Sequence, residues 1–199
     1  MTELTTLRAL AGLPLQPPSL AASTLVLIDC QNTYTSGVME LEGVQAALDE
    51  AATLLDRARS AGIPVIHVQH DDGPGSLYDI TGESGAIVAR VAPRDGESVV
   101  VKNYPNSFVQ TALDEQLKSL GAGNLIIAGF MTHMCVNSTA RGAFNLGYAP
   151  TVVAAATATR SLPGVDGSDV AAAALQVASL AALTDLFAVV VPNAAAIPG

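Results

Sequence analysis

The chain has 199 residues, half of them hydrophobic, and its 18 acidic and 9 basic residues give a formal net charge of −9 at pH 7. This balance leaves no basic stripe for a phosphate backbone, so nucleic acid is not an expected partner. No apolar run approaches the roughly 18 to 20 residues of a membrane span, and a chain of this length predicts one domain, residues 1–199, with a sizeable core.

The N-terminus and the cysteines predict a cytoplasmic protein. The first 20 residues lack a basic segment followed by an apolar one, which a secretory signal would need. Two cysteines, Cys30 and Cys135, are too few for a disulfide framework in a chain of this length. Both are therefore expected to be free thiols in a reducing compartment.

A series of short β-branched runs without polar alternation has the pattern of buried parallel strands. The six runs lie at 23–29, 64–70, 98–102, 124–129, 150–155 and 187–191. Between them, apolar residues recur at helical spacing over 44–55, with Gly62 as an expected helix end, and again over 108–120, 133–146 and 168–183. This alternation predicts an α/β fold, a three-layer α/β/α sandwich around a mostly parallel sheet.

One connection is unusually long. Residues 71–97 contain no pattern that predicts a helix or a strand. Loops of this length in compact domains are commonly functional or disordered. We therefore interpret this connection as a lid or a contact between subunits.

Three chemically capable side chains stand at or just beyond predicted strand ends: Asp29, Lys102 and Cys135. In open parallel sheets, ligands bind beyond the carboxyl ends of the strands, so these side chains are expected to meet at one site. Asp29 could act as a general acid and base toward a thiol, and Lys102 could balance the charges. Each also has a structural alternative, because a cysteine can be an inert core residue and a lysine can extend to water.

A thiol is nucleophilic only as the thiolate, so its pKa has to be lowered for it to react at neutral pH. Cys135 is predicted to lie in the first turn of a helix, where unpaired N–H groups stabilise an anion. Thr132 is the predicted N-cap of this helix. Cys30 falls on the opposite side of its strand from Asp29 and is predicted to be a core thiol.

The segments "LVLIDCQNTY", "VVVKNYPNSF" and "NLIIAGFMTHMCVNSTARGAFNLGY" resemble the three signature segments of the isochorismatase-like cysteine hydrolases. The resemblance covers roughly residues 20–192 and leaves the N-terminal extension, 1–20, outside. It implies a Rossmann-like sheet with strand order 3-2-1-4-5-6, a catalytic triad of Asp29, Lys102 and Cys135, and a homo-oligomer, either a dimer or a tetramer. It also implies a cis peptide bond between Phe130 and Met131 and an oxyanion hole formed by the N–H groups of Met131 and Cys135.

The histidines separate this chain from some members of that superfamily. Nicotinamidases carry a metal site built from an Asp-x-His pair and a further histidine, whereas this chain has only His67, His70 and His133 and no Asp-x-His. We therefore expect no metal and no cofactor. His67 lies within a predicted strand and is interpreted as a core imidazole, while His70 and His133 lie nearer the edge of the site.

The retained Cys135 favours acyl transfer, because family members that cleave the vinyl ether of isochorismate have no cysteine at this place. The hypothesis is an amidohydrolase that acts on a small amide, ureido or carbamoyl compound without a metal. Two alternatives remain: an isochorismatase-type vinyl-ether hydrolase, and a redox or ligand-binding protein that uses the thiol without hydrolysis. The residues predicted to contact the small-molecule substrate, about half of which are expected only to pack, are Gln31, Asn32, Tyr34, Tyr104, Phe108, Phe130 and His133.

Overall fold

The computed structural model describes residues 4–199. Its strands are β1 (Ser23–Ile28), β2 (Val65–His70), β3 (Ser98–Lys102), β4 (Asn124–Phe130), β5 (Ala149–Ala158), β6 (Leu162–Pro163), β7 (Asp169–Val170) and β8 (Val189–Val191). Its α-helices are α1 (Leu7–Leu10), α2 (Val44–Ala61), α3 (Leu113–Ser119), α4 (Asn137–Asn145) and α5 (Ala172–Thr184). All six predicted strands are present.

The six longer strands form one sheet in the order β3-β2-β1-β4-β5-β8, and every neighbouring pair is parallel. The predicted order, 3-2-1-4-5-6, is confirmed, since β8 is the sixth of these strands along the chain. The two short strands β6 and β7 pair antiparallel in a hairpin outside the sheet. This hairpin occupies residues that were predicted to begin the last helix, which starts only at Ala172.

The sheet is buried on both faces, which explains the absence of polar alternation in its strands. One face packs against α2, and the opposite face packs against α3, α4 and α5. In β1, successive residues enter the two clusters in turn, with Leu25 and Leu27 on the α2 side and Val26 and Ile28 on the other. The fold is therefore a three-layer α/β/α sandwich, as predicted.

Helix α2 agrees with the predicted pattern from end to end. It ends at Gly62, whose left-handed backbone, with φ of 67°, allows its N–H to bond to the last carbonyls of the helix. Across residues 4–199, no helix combines the length and the apolar character that a bilayer crossing requires.

The helix predicted at 108–120 is wrong in its first part, because it begins at Leu113. The preceding polar side chains bond to the local backbone instead. Asn106 Oδ1 accepts a hydrogen bond from Phe108 N, and the Thr111 hydroxyl donates to Ser107 O. Such bonds compete with helix formation, and Gln110 adopts a φ of 56°.

The long connection 71–97 contains a single 3-10 turn, Ala89–Val91, and no strand of the sheet. It follows the residues just after β1 through three backbone hydrogen bonds. Val88 N donates to Cys30 O at 2.8 Å, Asn32 N to Ala86 O at 2.9 Å and Thr33 N to Ser84 O at 2.7 Å. The connection is therefore fastened beside the end of β1.

Glu97, at the end of this connection, contacts both helix α2 and strand β2. Its carboxylate receives two hydrogen bonds from Arg59 of α2, at 2.7 and 2.8 Å, and lies 3.0 Å from His67 Nε2 of β2. The Arg59 guanidinium is the main reason why the pKa of Glu97 falls to about 2. His67 is 1% exposed and has this partner, as expected for a core imidazole.

We expect Glu97→Gln to lower the free energy of unfolding at pH 7 by about 1 to 3 kcal/mol, since it removes a charged acceptor from a mostly buried cluster. A carboxylate with a depressed pKa stabilises the fold above its unfolded pKa, near 4.5, and this contribution is lost as pH falls toward about 2. The difference between mutant and wild type should therefore shrink across that window in urea unfolding.

The matched control is Asp49→Asn, which breaks the exposed ion pair with Arg90. Exposed pairs contribute roughly 0 to 1 kcal/mol, so this variant should unfold almost as wild type does. A Glu97→Gln penalty that stayed constant from pH 7 to pH 2 would contradict the assignment.

Candidate active site

Asp29 follows β1 at the carboxyl edge of the sheet and is completely buried. Its backbone has a φ of 49°, a left-handed conformation that is uncommon for residues other than glycine. Two hydrogen bonds hold this conformation: Asp29 N donates to Val68 O at 2.9 Å, and Gln31 N donates to Asp29 O at 2.8 Å. This turn ends β1 next to the Asp29 carboxylate.

Lys102, the last residue of β3, is also completely buried. Its Nζ lies 2.7 Å from Asp29 Oδ2, 3.3 Å from Cys135 Sγ and 3.0 Å from His70 Nδ1. Neither Asp29 carboxylate oxygen accepts a hydrogen bond of regular geometry from residues 4–199. The three predicted side chains therefore meet at one buried point, and Asp29 retains acceptor capacity.

The turn that carries the thiol begins at Gly129, near the end of β4. Gly129 has a φ of 115°, and a Cβ at this position would lie 1.9 Å from Ile28 O of β1. The register between β4 and β5 also shifts between Ile127 and Gly129. The predicted cis peptide bond between Phe130 and Met131 is present.

Cys135 lies in a π-helical turn, Thr132–Val136, which continues into α4. The prediction of Thr132 as the N-cap is wrong. Met131 occupies the cap position without a side-chain bond, and the Thr132 hydroxyl is buried with no hydrogen-bond partner among residues 4–199. The wider turn replaces the capped α-helical start that the sequence suggested.

The expectation of an acidified thiol is also wrong for this conformation. Burial and the neighbouring Asp29 carboxylate raise the pKa of the Cys135 thiol, and Lys102 opposes them only in part. Burial likewise raises the pKa of Asp29 against the influence of Lys102. A buried carboxyl with a raised pKa beside a protonated thiol suits transfer of the thiol proton to Asp29, rather than a standing thiolate.

Three of the predicted substrate residues are completely or almost completely buried. The Gln31 amide bonds to the backbone of His70 and to Gly85 O, at 2.8 to 2.9 Å. Tyr34 packs edge-on against Phe130 and against Tyr78 of the connection. These side chains support the site from the core side, and contact with a substrate stays a prediction for them.

The other four predicted substrate residues differ in exposure and partners. Tyr104 is exposed, and Phe108 stacks on Tyr148 with 5.9 Å between ring centroids. His133 is half-buried, with Nδ1 2.5 Å from the Thr159 hydroxyl. Asn32 donates to Glu83 O at 2.9 Å. Their contact with a substrate, like the oxyanion hole at the N–H groups of Met131 and Cys135, stays a prediction.

A cleft lies beside the residues that follow β1, and none of the three buried side chains lines it. It has a volume of about 610 Å³ and is bounded by the residues after β1 and by part of the long connection. Asn32, Ser36 and Glu83 provide polar groups on its wall, and Met39 and Leu77 provide apolar ones. Its volume is sufficient for a small molecule.

Two observations, one at the site and one near His133, are absent from the predicted interactions. His70 contacts Lys102 directly, a pairing that follows from the parallel register of β2 with β3. Arg160, just after β5, has a buried Nε without a hydrogen-bond partner among residues 4–199. Among residues 4–199, no three histidine, cysteine, aspartate or glutamate side chains lie close enough together to bind a metal ion.

Residues 23–195 match the isochorismatase domain model. The chain belongs to the isochorismatase family. A crystal structure of an isochorismatase from Pseudomonas putida superposes with a TM-score of 0.93 at 39% identity, covering 97% of this chain and 99% of that one. The family and the Rossmann-like fold that the sequence predicted are thereby confirmed.

Two curated relatives are similar over much of the chain. A secreted isochorismatase effector from Verticillium dahliae is 33% identical over 94% of this chain and 96% of its own length. A ureidoacrylate amidohydrolase from Stutzerimonas stutzeri is 31% identical over 73% of this chain and 75% of its own length. This isochorismatase-family protein is a hydrolase whose relatives include amidohydrolases.

Gly129→Ala should lower the free energy of unfolding by more than about 3 kcal/mol, since the new methyl group meets the β1 backbone and the φ suits only glycine. Chemical denaturation measures this loss. Gly123→Ala, six residues earlier, is the control, because a Cβ there meets nothing within 4 Å. Equal stability of the two variants would contradict the described packing of β4 against β1.

Asp29→Asn should lower the pKa of the Cys135 thiol, because it removes the negative charge that disfavours the thiolate. Thiolate absorbance followed against pH, with Cys135→Ser as the blank, measures the shift. An unchanged or higher thiol pKa in Asp29→Asn would show that the carboxylate does not act on the sulfur.

Proposed function

We propose that this protein is a cysteine hydrolase that cleaves a C–N bond of a small amide, ureido or carbamoyl compound through a Cys135 thioester, without a metal. One observation carries the proposal: the buried Lys102 ammonium lies between a carboxylate, at 2.7 Å, and a thiol, at 3.3 Å. The name of the amidohydrolase relative agrees with this chemistry.

Asp29 is the proposed general base and acid. Its oxygens accept no regular hydrogen bond from residues 4–199, so the carboxylate can take the Cys135 proton as sulfur attacks the substrate carbonyl. The N–H groups of Met131 and Cys135 are the proposed donors to the oxyanion. As the C–N bond breaks, Asp29 returns the proton to the departing nitrogen, and a thioester remains on Cys135.

The second half of the reaction removes the acyl group. Asp29 takes a proton from water, the resulting hydroxide equivalent attacks the thioester carbonyl, and the proton returns to the departing sulfur. Lys102 keeps its own protons throughout and offsets the charge that moves between Asp29 and the sulfur. The raised pKa of Asp29 makes it a stronger base for this purpose.

The redox alternative has less support from the site. A low thiol pKa is what makes a sensor cysteine react with peroxide, whereas the pKa of Cys135 is raised. The only other cysteine, Cys30, belongs to the core cluster on the α2 face, whereas Cys135 belongs to the cluster on the other face. Cys30 is therefore poorly placed to form a disulfide with Cys135. The vinyl-ether alternative gives no role to the contact between Lys102 and the sulfur.

The test is ammonia release from a panel of small amides, ureido acids and carbamoyl compounds, each offered with and without a carboxylate. Cys135→Ala should reduce turnover by at least about 10³-fold, since it removes the nucleophile. Acid quenching of the wild type followed by intact-mass measurement should show the acyl group on Cys135.

Cys30→Ser is the matched control, because it alters the other thiol, which lies in the core. Its turnover should stay close to that of the wild type. Turnover that survives Cys135→Ala would exclude the thioester route. Cleavage of isochorismate by that variant would support the vinyl-ether reaction instead.

A further inference from the structure

The Lys102 ammonium lies within 3.3 Å of three separate groups, and its contact with Asp29 Oδ2 is an ion pair without regular hydrogen-bond geometry. Besides Asp29 Oδ2 and Cys135 Sγ, Nζ lies 3.0 Å from Nδ1 of His70. His70 and Lys102 are partners in the parallel register of β2 and β3. An ammonium has three donors and no acceptor, so the nitrogen that His70 presents to Lys102 has to carry a lone pair.

A carboxylate fixes the other ring nitrogen of His70. Nε2 lies 3.0 Å from Asp72 Oδ1, and an ionised carboxylate can only accept hydrogen bonds. Nε2 therefore carries the ring proton. The two contacts together select the neutral Nε2–H tautomer, because an imidazolium would turn a second N–H against the Lys102 ammonium.

The imidazole is held in place on its other sides as well. His70 N donates to Gln31 Oε1 at 2.9 Å, and Gln31 Nε2 donates back to His70 O at 2.9 Å. The ring packs edge-on against Tyr78, with 4.9 Å between centroids, and the side chain is only 12% exposed. His70 therefore has little freedom to turn away from Lys102.

We propose that His70 is a positioning residue for the reaction: its neutral Nδ1 accepts one Lys102 proton and so keeps the ammonium between Asp29 and Cys135. His70 acts through Lys102 and does not touch the substrate. The ionisable groups that face it are Lys102 from β3, Asp29 from β1, Cys135 from the π-helical turn, and Asp72 and Tyr78 from the connection. The kinetic consequence rests on the proposed function, whereas the protonation state does not.

The tautomer can be observed directly by nitrogen NMR of the histidine-labelled full chain at neutral pH. The His70 ring should show an unprotonated Nδ1 and a protonated Nε2. Asp72→Asn weakens the contact that selects this tautomer and should broaden or shift both signals. A protonated Nδ1, or an imidazolium, would overturn the proposal.

Alkylation of Cys135 by iodoacetamide, followed by peptide mass spectrometry, tests the effect on the sulfur without any substrate. Lys102 lowers the pKa of Cys135, so loosening the ammonium in His70→Leu should slow alkylation by about tenfold. His70→Asn keeps an acceptor near the position of Nδ1 and should restore the rate. Equal rates in His70→Leu and wild type, or no restoration by His70→Asn, would overturn the proposal.

His67→Asn is the control on the same strand, because His67 bonds to Glu97 and not to Lys102. It should lower thermal stability and leave the alkylation rate unchanged at temperatures where it is folded. With a substrate from the amide panel, His70→Leu should lower kcat by about 10- to 100-fold at constant KM. If no compound in the panel is hydrolysed, the proposed function fails, while the NMR and alkylation results still decide the role of His70.

Discussion

A fully buried ammonium is the constraint on which the site depends. Lys102 is shielded from bulk solvent, and an isolated buried charge is expensive, so acceptors have to surround it. The surrounding groups come from three separate parts of the chain: Asp29 after β1, His70 at the end of β2, and Cys135 in the turn after β4. Contacts with the buried Lys102 charge therefore link these strand ends at the proposed active site.

The parallel sheet brings these groups together because it ends all of its strands at one edge. β1 lies between β2 and β4, so the Asp29 carboxylate has the contributions of β2 and β3 on one side and the thiol on the other. The spacing from β1 to the β4 turn is set by backbone, since Gly129 lies against Ile28 O without any side chain between them. Substitution of core side chains therefore has limited influence on how far the sulfur lies from the carboxylate.

The sheet and the three side chains could be predicted from sequence because both depend on short, local patterns. Continuous β-branched runs indicate strands buried on both faces, and Asp29 and Lys102 stand out as charges that close such runs. The start of α3 could not be read in this way, because Asn106 and Thr111 compete with helix formation through local hydrogen bonds. The contact of His70 with Lys102 required the register between two strands, which no local pattern contains. The protonated state of Cys135 likewise depends on burial among distant residues.

The attachment of the long connection has a consequence for how members of this family can diverge. Its later half, around residues 84–88, follows the chain after Cys30, and the Gln31 amide joins Gly85 to the end of β2. Residues 73–82, by contrast, form an exposed or half-buried series of turns bonded mainly within itself. Apart from Tyr78, which packs against Tyr34 and His70, the turns of this stretch tolerate insertions and deletions better than the fastened part does. The wall of the cleft can thus change its size and polarity over evolutionary time on top of an unchanged set of reacting groups.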